Sequence, residues 1–139
     1  FDAALLDAGI GDYNLIKVSS IVPSGIVIYQ RNDKGAMQLN LLPKGSFLPI
    51  VYSSITSSVE GKIISSAIAI GIPGDQSKSG VIFEANSINE KAISEITAKA
   101  MVQEALEVRK VQEARYLVVS SETTVKQHFS CSISAIAFL

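Results

Sequence analysis

The residues with the clearest chemical potential are Ser19 and Ser20, within the stretch NLIKVSSIVP at residues 14–23. The hydroxyl of Ser20 lies next to the carbonyl of Ser19, so it can attack that carbonyl and move the acyl group from nitrogen to oxygen. Elimination of the resulting ester, followed by hydrolysis, would leave a pyruvoyl group at position 20. This chemistry would cut the chain in two and create an electrophilic cofactor from the protein itself.

Serine pairs are common in this chain, so the dipeptide alone does not single out one bond. Four further pairs occur, at 53–54, 57–58, 65–66 and 120–121. On the residues alone, Ser19-Ser20 fits a solvated strand end or turn as well as it fits a cleavage site. Its surroundings in the sequence have to decide between the two interpretations.

Composition limits the other classes of function. The 139 residues carry a net charge of −1, without a block of like charges, which argues against a basic face for nucleic acid. Cys131 is the only cysteine and His128 the only histidine, which excludes a cysteine zinc site and any disulfide within the chain. No apolar run approaches the ~20 residues that cross a bilayer, and no secretory signal is visible.

From these features we expect a cytoplasmic, metal-free protein without a membrane partner or a nucleic-acid partner. The sequence begins at Phe1 and not at a methionine. We therefore expect that a longer gene product contains this chain, and what precedes Phe1 is open.

The hydrophobic pattern predicts one α/β domain over residues 1–139. Ser87-x-x-Glu90 has the pattern of a capping box and predicts the start of a long helix that ends near Lys110. The other predicted elements are a short helix at 1–8, a polar loop at 30–36, and strands at 13–22, 25–29, 47–55, 62–72, 80–85, 116–120 and 127–139. Strands before and after the long helix can join one sheet that the helix covers.

Several segments, taken in order, resemble the pyruvoyl-dependent arginine decarboxylases of archaea and some bacteria. The likeness begins with FDAALLDAGIGDYNLIKVSSIVP at 1–23 and continues in LPKG at 42–45, GKIISSAIAIGIP at 61–73 and SGVIFE at 79–84. It extends weakly to the final strand and covers essentially the whole chain. Asp7 and Asp12 stand where asparagines are expected in archaeal relatives, which leaves the choice among cationic amino acids open.

The resemblance implies a fold, an assembly and an activity. The implied fold is a four-layer αββα sandwich of the α/β (α+β) class, assembled as a homotrimer; whether trimers pair into hexamers is open. Cleavage between Ser19 and Ser20 would give a β chain, 1–19, and an α chain, 20–139. The pyruvoyl group at position 20 would then serve the decarboxylation of L-arginine to agmatine and carbon dioxide, without a metal.

The resemblance also implies roles for residues near the cleavage site. Ser20 becomes the pyruvoyl group, and Ser19 keeps its hydroxyl and the new carboxyl terminus. Glu84 matches the residue that donates a proton to the former α-carbon of the substrate. Asn14 matches a side chain that forms hydrogen bonds near the cleavage site and polarises a carbonyl.

Three more residues match positions that contact the substrate. Asp2 matches the carboxylate that pairs with the guanidinium, since a planar bidentate acceptor suits that group. Leu5 and Tyr13 would line the pocket. Two alternatives stay open: a pyruvoyl decarboxylase of another amino acid, and an uncleaved trimeric homologue with a ligand-binding or structural role.

Overall fold

The computed structural model describes residues 1–31 and 33–139. Asn32, in the predicted polar loop at 30–36, lies outside the described residues. The elements in chain order are α1 (Asp2–Asp7), β1 (Asn14–Lys17), β2 (Ile21–Val22), a 3-10 helix (Lys34–Leu41), β3 (Phe47–Ser57), β4 (Ile63–Pro73), β5 (Gly80–Ser87), α2 (Lys91–Val108), β6 (Ala114–Thr124) and β7 (Ser130–Ala137).

The strands form two sheets. In the first sheet, with the order β1-β3-β7, β3 pairs with β1 in parallel and with β7 in antiparallel fashion. The second sheet has the order β2-β5-β4-β6 and is antiparallel throughout. β3 and β4 lie close to their predicted positions, whereas β6 extends beyond the predicted 116–120 at both ends.

Apolar clusters separate four layers, so the predicted αββα sandwich is confirmed. The clusters include Leu5 and Leu48 between α1 and the first sheet, Val51 and Ile68 between the sheets, and Ala69 and Val102 between the second sheet and α2. β4 is buried along almost its whole length because a layer covers each of its faces. Its nearly continuous apolar sequence is typical of such a strand.

Buried serines connect these layers through hydrogen bonds. The hydroxyl of Ser66 on β4 lies 3.0 Å from the hydroxyls of both Ser132 and Ser134 on β7, in the other sheet. The adjacent Ser65 points to the opposite face and lies 2.8 Å from the hydroxyl of Ser94 on α2. In the described part of the chain, no buried side-chain nitrogen or oxygen lacks a partner.

Two predictions about strands near the serine pair are wrong. Residues 13–22 form two strands, and these belong to different sheets. Ile16 and Val18 are two residues apart and would share a face of a single strand. Instead, Ile16 is exposed, whereas Val18 packs against the cluster between the sheets. Residues 25–29, predicted as a strand, form neither a strand nor a helix.

The predicted capping box is also wrong. Ser87 is the last residue of β5, and its hydroxyl lies 3.1 Å from the hydroxyls of Ser65 and Ser94. Helix α2 begins later, at Lys91, whose N–H donates to Glu122 Oε2 on β6 (2.8 Å). A residue 31 positions away in the sequence therefore caps the helix.

The close approach of β4, β5 and β2 allows no side chain at Gly80. A Cβ atom there would lie 2.5 Å from the carbonyl oxygen of Gly71 and 3.1 Å from the Cβ of Val22. We expect Gly80→Ala to lower the free energy of unfolding by about 1–3 kcal/mol, as in other overpacked cores, measured by urea denaturation. Gly74→Ala is the control, since its nearest contact would be 3.8 Å away. Equal midpoints for the two variants would contradict the prediction.

Candidate active site

The Ser19-Ser20 bond lies where the chain crosses from the first sheet to the second. On one side, the N–H of Val18 donates to the carbonyl of Ile50 in the first sheet (3.1 Å). On the other side, the carbonyl of Ser20 accepts the N–H of Ile82 in the second sheet (2.9 Å). Both ends of the crossing are therefore held by main-chain hydrogen bonds.

Glu84 meets Ser20 at this crossing. Ser20 Oγ lies 3.5 Å from Glu84 Oε2, and both residues are half-buried. On β5, Glu84 shares a face with Ile82, which packs between the sheets, because side chains of a strand alternate. The structure thus brings together two predicted site residues that are 64 positions apart in the sequence.

Lys17 is a neighbour of Glu84 that the sequence analysis missed. Its Nζ lies 2.9 Å from Glu84 Oε1 and 5.1 Å from the ring centroid of Tyr52. Glu84 therefore divides its two oxygens between the ammonium of Lys17 and the hydroxyl of Ser20. An ion pair this exposed contributes little to stability, so its main effect is to orient the carboxylate. The only signal in the sequence is the position of Lys17, three residues before Ser20.

Asn14 is held by a loop of the first sheet. Its side-chain amide donates to the carbonyl of Gly45 (2.6 Å), and its main-chain N–H donates to the carbonyl of Ser46 (2.9 Å). Among the described residues, its side chain forms no hydrogen bond with Ser19 or Ser20. A role for Asn14 at the cleavage site stays a prediction.

The three residues predicted to contact substrate lie on or near α1. Leu5 is buried against the first sheet, and Tyr13 Oη donates to the carbonyl of Leu39 (2.9 Å). Asp2 is exposed in the first turn of α1, and no ion pair of Asp2 occurs within residues 1–31 and 33–139. Next to it, the ring of Phe1 lies 6.2 Å from that of Tyr52, which also contacts Lys17. Aromatic contacts thus connect the start of α1 to the site.

The charge of Asp12 is paired locally. Its carboxylate lies 2.6 Å from Nζ of Lys44. The hydrogen bond and the charge of Asp12 raise the pKa of Lys44 above its ordinary value. The chain has an aspartate where an asparagine was expected, and Lys44 neutralises the charge of this aspartate.

The residues around position 20 could support nucleophilic attack by a serine and proton transfer by a carboxylate. In the described part of the chain, no group of three or more histidine, cysteine or acidic side chains is arranged to hold a metal ion. No helix in the described part of the chain has both the length and the apolar character needed to cross a membrane.

Comparisons with known proteins agree with this chemistry. A sequence profile of the family described as pyruvoyl-dependent arginine decarboxylase matches residues 1–139. Proteins with that name from Methanocaldococcus jannaschii and Methanococcus aeolicus are 37% and 35% identical to the chain over 137 residues, which are 99% of the chain and 78% of each relative. The protein of the same name from Pyrococcus furiosus is 35% identical to the chain over 136 residues, which are 98% of the chain and 82% of that relative.

Proposed function

Because the chain belongs to the pyruvoyl-dependent arginine decarboxylase family, we propose that it cleaves itself between Ser19 and Ser20 and converts L-arginine to agmatine and carbon dioxide. Members of this family are lyases that depend on a pyruvoyl group derived from a serine. The observation that carries the proposal is the approach of the Ser20 hydroxyl to the Glu84 carboxylate, at 3.5 Å.

The residues around position 20 fit such a group. A pyruvoyl group would supply a ketone that binds the substrate amine and delocalises the electron pair left on the α-carbon when carbon dioxide departs. Ile82 N–H, already 2.9 Å from the carbonyl oxygen of residue 20, would hold that carbonyl. Glu84 would hold the proton for the substrate at Oε2, while Lys17 orients the carboxylate through Oε1.

The proposal for the substrate depends on Asp2. Its exposed carboxylate is free of an ion pair in the described part of the chain and can accept a guanidinium in bidentate fashion.

The proposal also includes an assembly and a location. The assembly is a homotrimer, in which subunit contacts complete the pocket near Leu5 and Tyr13, and the location is cytoplasmic. Another cationic amino acid is the alternative substrate, and an uncleaved ligand-binding homologue is the alternative from a different class.

Self-cleavage is tested by mass spectrometry under denaturing conditions. We expect two fragments, residues 1–19 and 20–139, and only the larger one should react with phenylhydrazine. Ser20→Ala removes the nucleophile and should give one intact chain. Ser58→Ala, which alters another serine pair, is the matched control and should be cleaved like the wild type. An intact wild-type chain would rule out the proposed activity.

The proton-donor role of Glu84 is tested with Glu84→Gln, which keeps the shape but removes the acid. We expect kcat per cleaved chain to fall by about 10²- to 10⁴-fold, the usual contribution of a general acid, measured as agmatine formed. Glu60→Gln, at an exposed site away from residue 20, is the control. Full activity of the Glu84→Gln protein would remove Glu84 from this role.

Substrate recognition by Asp2 is tested with Asp2→Asn. A hydrogen bond to a charged group contributes about 1.5–3 kcal/mol, so we expect KM for arginine to rise by at least about tenfold. Self-cleavage should proceed as in the wild type. Asp7→Asn, on the same short helix, is the control and should leave KM unchanged. If Asp2→Asn reduced cleavage and arginine binding to the same extent, its role would be structural.

A further inference from the structure

The main chain makes a tight turn at Ser20. The N–H of Ile21 donates to the carbonyl oxygen of Ser19 at 2.8 Å, a bond between residues i+2 and i that defines a γ-turn. Among the described non-glycine residues, only Lys110 and His128 have a positive φ. Ser20 therefore has a negative φ, and the turn is of the common inverse type.

The sheet does not use this N–H group. β2 is the terminal strand of the second sheet, and Ile21 pairs with Val81 of β5. The ladder bond next to this pair runs from Ile82 N–H to the carbonyl of Ser20, so Ile21 and Val81 form a non-hydrogen-bonded pair. In such a pair the residues' own N–H groups point away from the partner strand. The N–H of Ile21 thus points to the free edge, where it contacts Ser19.

The carbonyl of Ser19 is the group that must accept negative charge if the bond to Ser20 is cut by its own hydroxyl. Ser20 Oγ adds to the carbonyl carbon of Ser19, and the carbonyl oxygen becomes an oxyanion. The carbon–nitrogen bond then breaks and the carbonyl re-forms as an ester to Oγ. The hydroxyl proton ends on the nitrogen of Ser20, which becomes a free amine, so this step consumes no other reactant.

We propose that the main-chain N–H of Ile21 is the oxyanion donor for this acyl shift. The inference rests on the proposed self-cleavage. The donor already lies 2.8 Å from the oxygen that gains charge, so it is in place before the attack and needs only a small shift to follow that oxygen as the carbon becomes tetrahedral. In the part of the chain that the structure describes, no other hydrogen bond reaches this oxygen, and the Asn14 amide is bound to Gly45.

If the donor is the main-chain N–H, a change of the side chain at position 21 should leave cleavage unaffected, whereas removal of the N–H should slow it. Ile21→Val keeps the N–H and should cleave at the wild-type rate. Replacing Ile21 by its α-hydroxy acid exchanges the N–H for an ester oxygen while keeping the side chain. The ladder bond from Ile82 N–H to the carbonyl of Ser20 is retained, with an ester carbonyl that is a weaker acceptor than the amide.

We expect this ester variant to form fragments about 10²- to 10³-fold more slowly than the wild type, the usual effect of removing one oxyanion donor. The rate is measured by mass spectrometry during cell-free synthesis, which permits hydroxy-acid incorporation. An ester next to Ser20 makes its Cα–H more acidic and would speed the later elimination. A slower reaction therefore reports the acyl shift.

An α-hydroxy acid at Val27, an exposed position outside the strands, controls for the chemistry of the ester itself. Cleavage of the Ile21 ester within about twofold of this control overturns the inference and leaves the proposed function intact. A wild-type chain that stays intact overturns the proposed function as well.

A second measurement does not depend on how well the ester variant folds. In the uncleaved Ser20→Ala protein, the Ile21 amide should exchange its hydrogen at least about tenfold more slowly than an unprotected amide, because it is hydrogen-bonded. Exchange at the unprotected rate would overturn the inference.

Discussion

The chain has to pass from one sheet to the other in a very short segment, and this constraint determines where Ser20 lies. Lys17 ends β1 in the first sheet and Ile21 begins β2 in the second. Four peptide units span at most about 14 Å, whereas packed sheets are about 10 Å apart. The segment therefore has little spare length, and Ser20 lies between the layers. Its carbonyl accepts the N–H of Ile82, and its hydroxyl faces Glu84.

The hydroxyl groups of β4 help to place Glu84 opposite this crossing. Ser66 contacts Ser132 and Ser134 in the other sheet, while β4 pairs directly with β5, where Ile68 lies opposite Glu84. A slip of one residue would turn each side chain to the opposite face and leave buried hydroxyls without partners. The serine contacts therefore favour one register, and in that register the carboxylate of Glu84 lies beside Ser20.

Much of the fold could be predicted because its longest elements have strong local patterns. Apart from Ser65 and Ser66, β4 is almost continuously apolar, as expected of a strand covered on both faces. The proximity of Ser20 and Glu84 followed from the family resemblance. Other features depend on contacts between distant segments. The capping of α2 by Glu122 has no local signal, and the only hint of the pair between Lys17 and Glu84 is that Lys17 lies close to Ser20 in the sequence. The break at residues 18–20 was missed because β-branched and apolar residues on both sides favour one continuous strand.

The first 19 residues are attached to the rest of the fold by more than the covalent bond. β1 pairs with β3 in parallel, and Leu5 and Ile10 are buried under the first sheet. A cut after Ser19 would leave this segment bound, but as a separate molecule. Unfolding would then release two chains whose reassembly is bimolecular and depends on concentration. The mature protein would persist through slow unfolding, since the linked chain that folded first no longer exists.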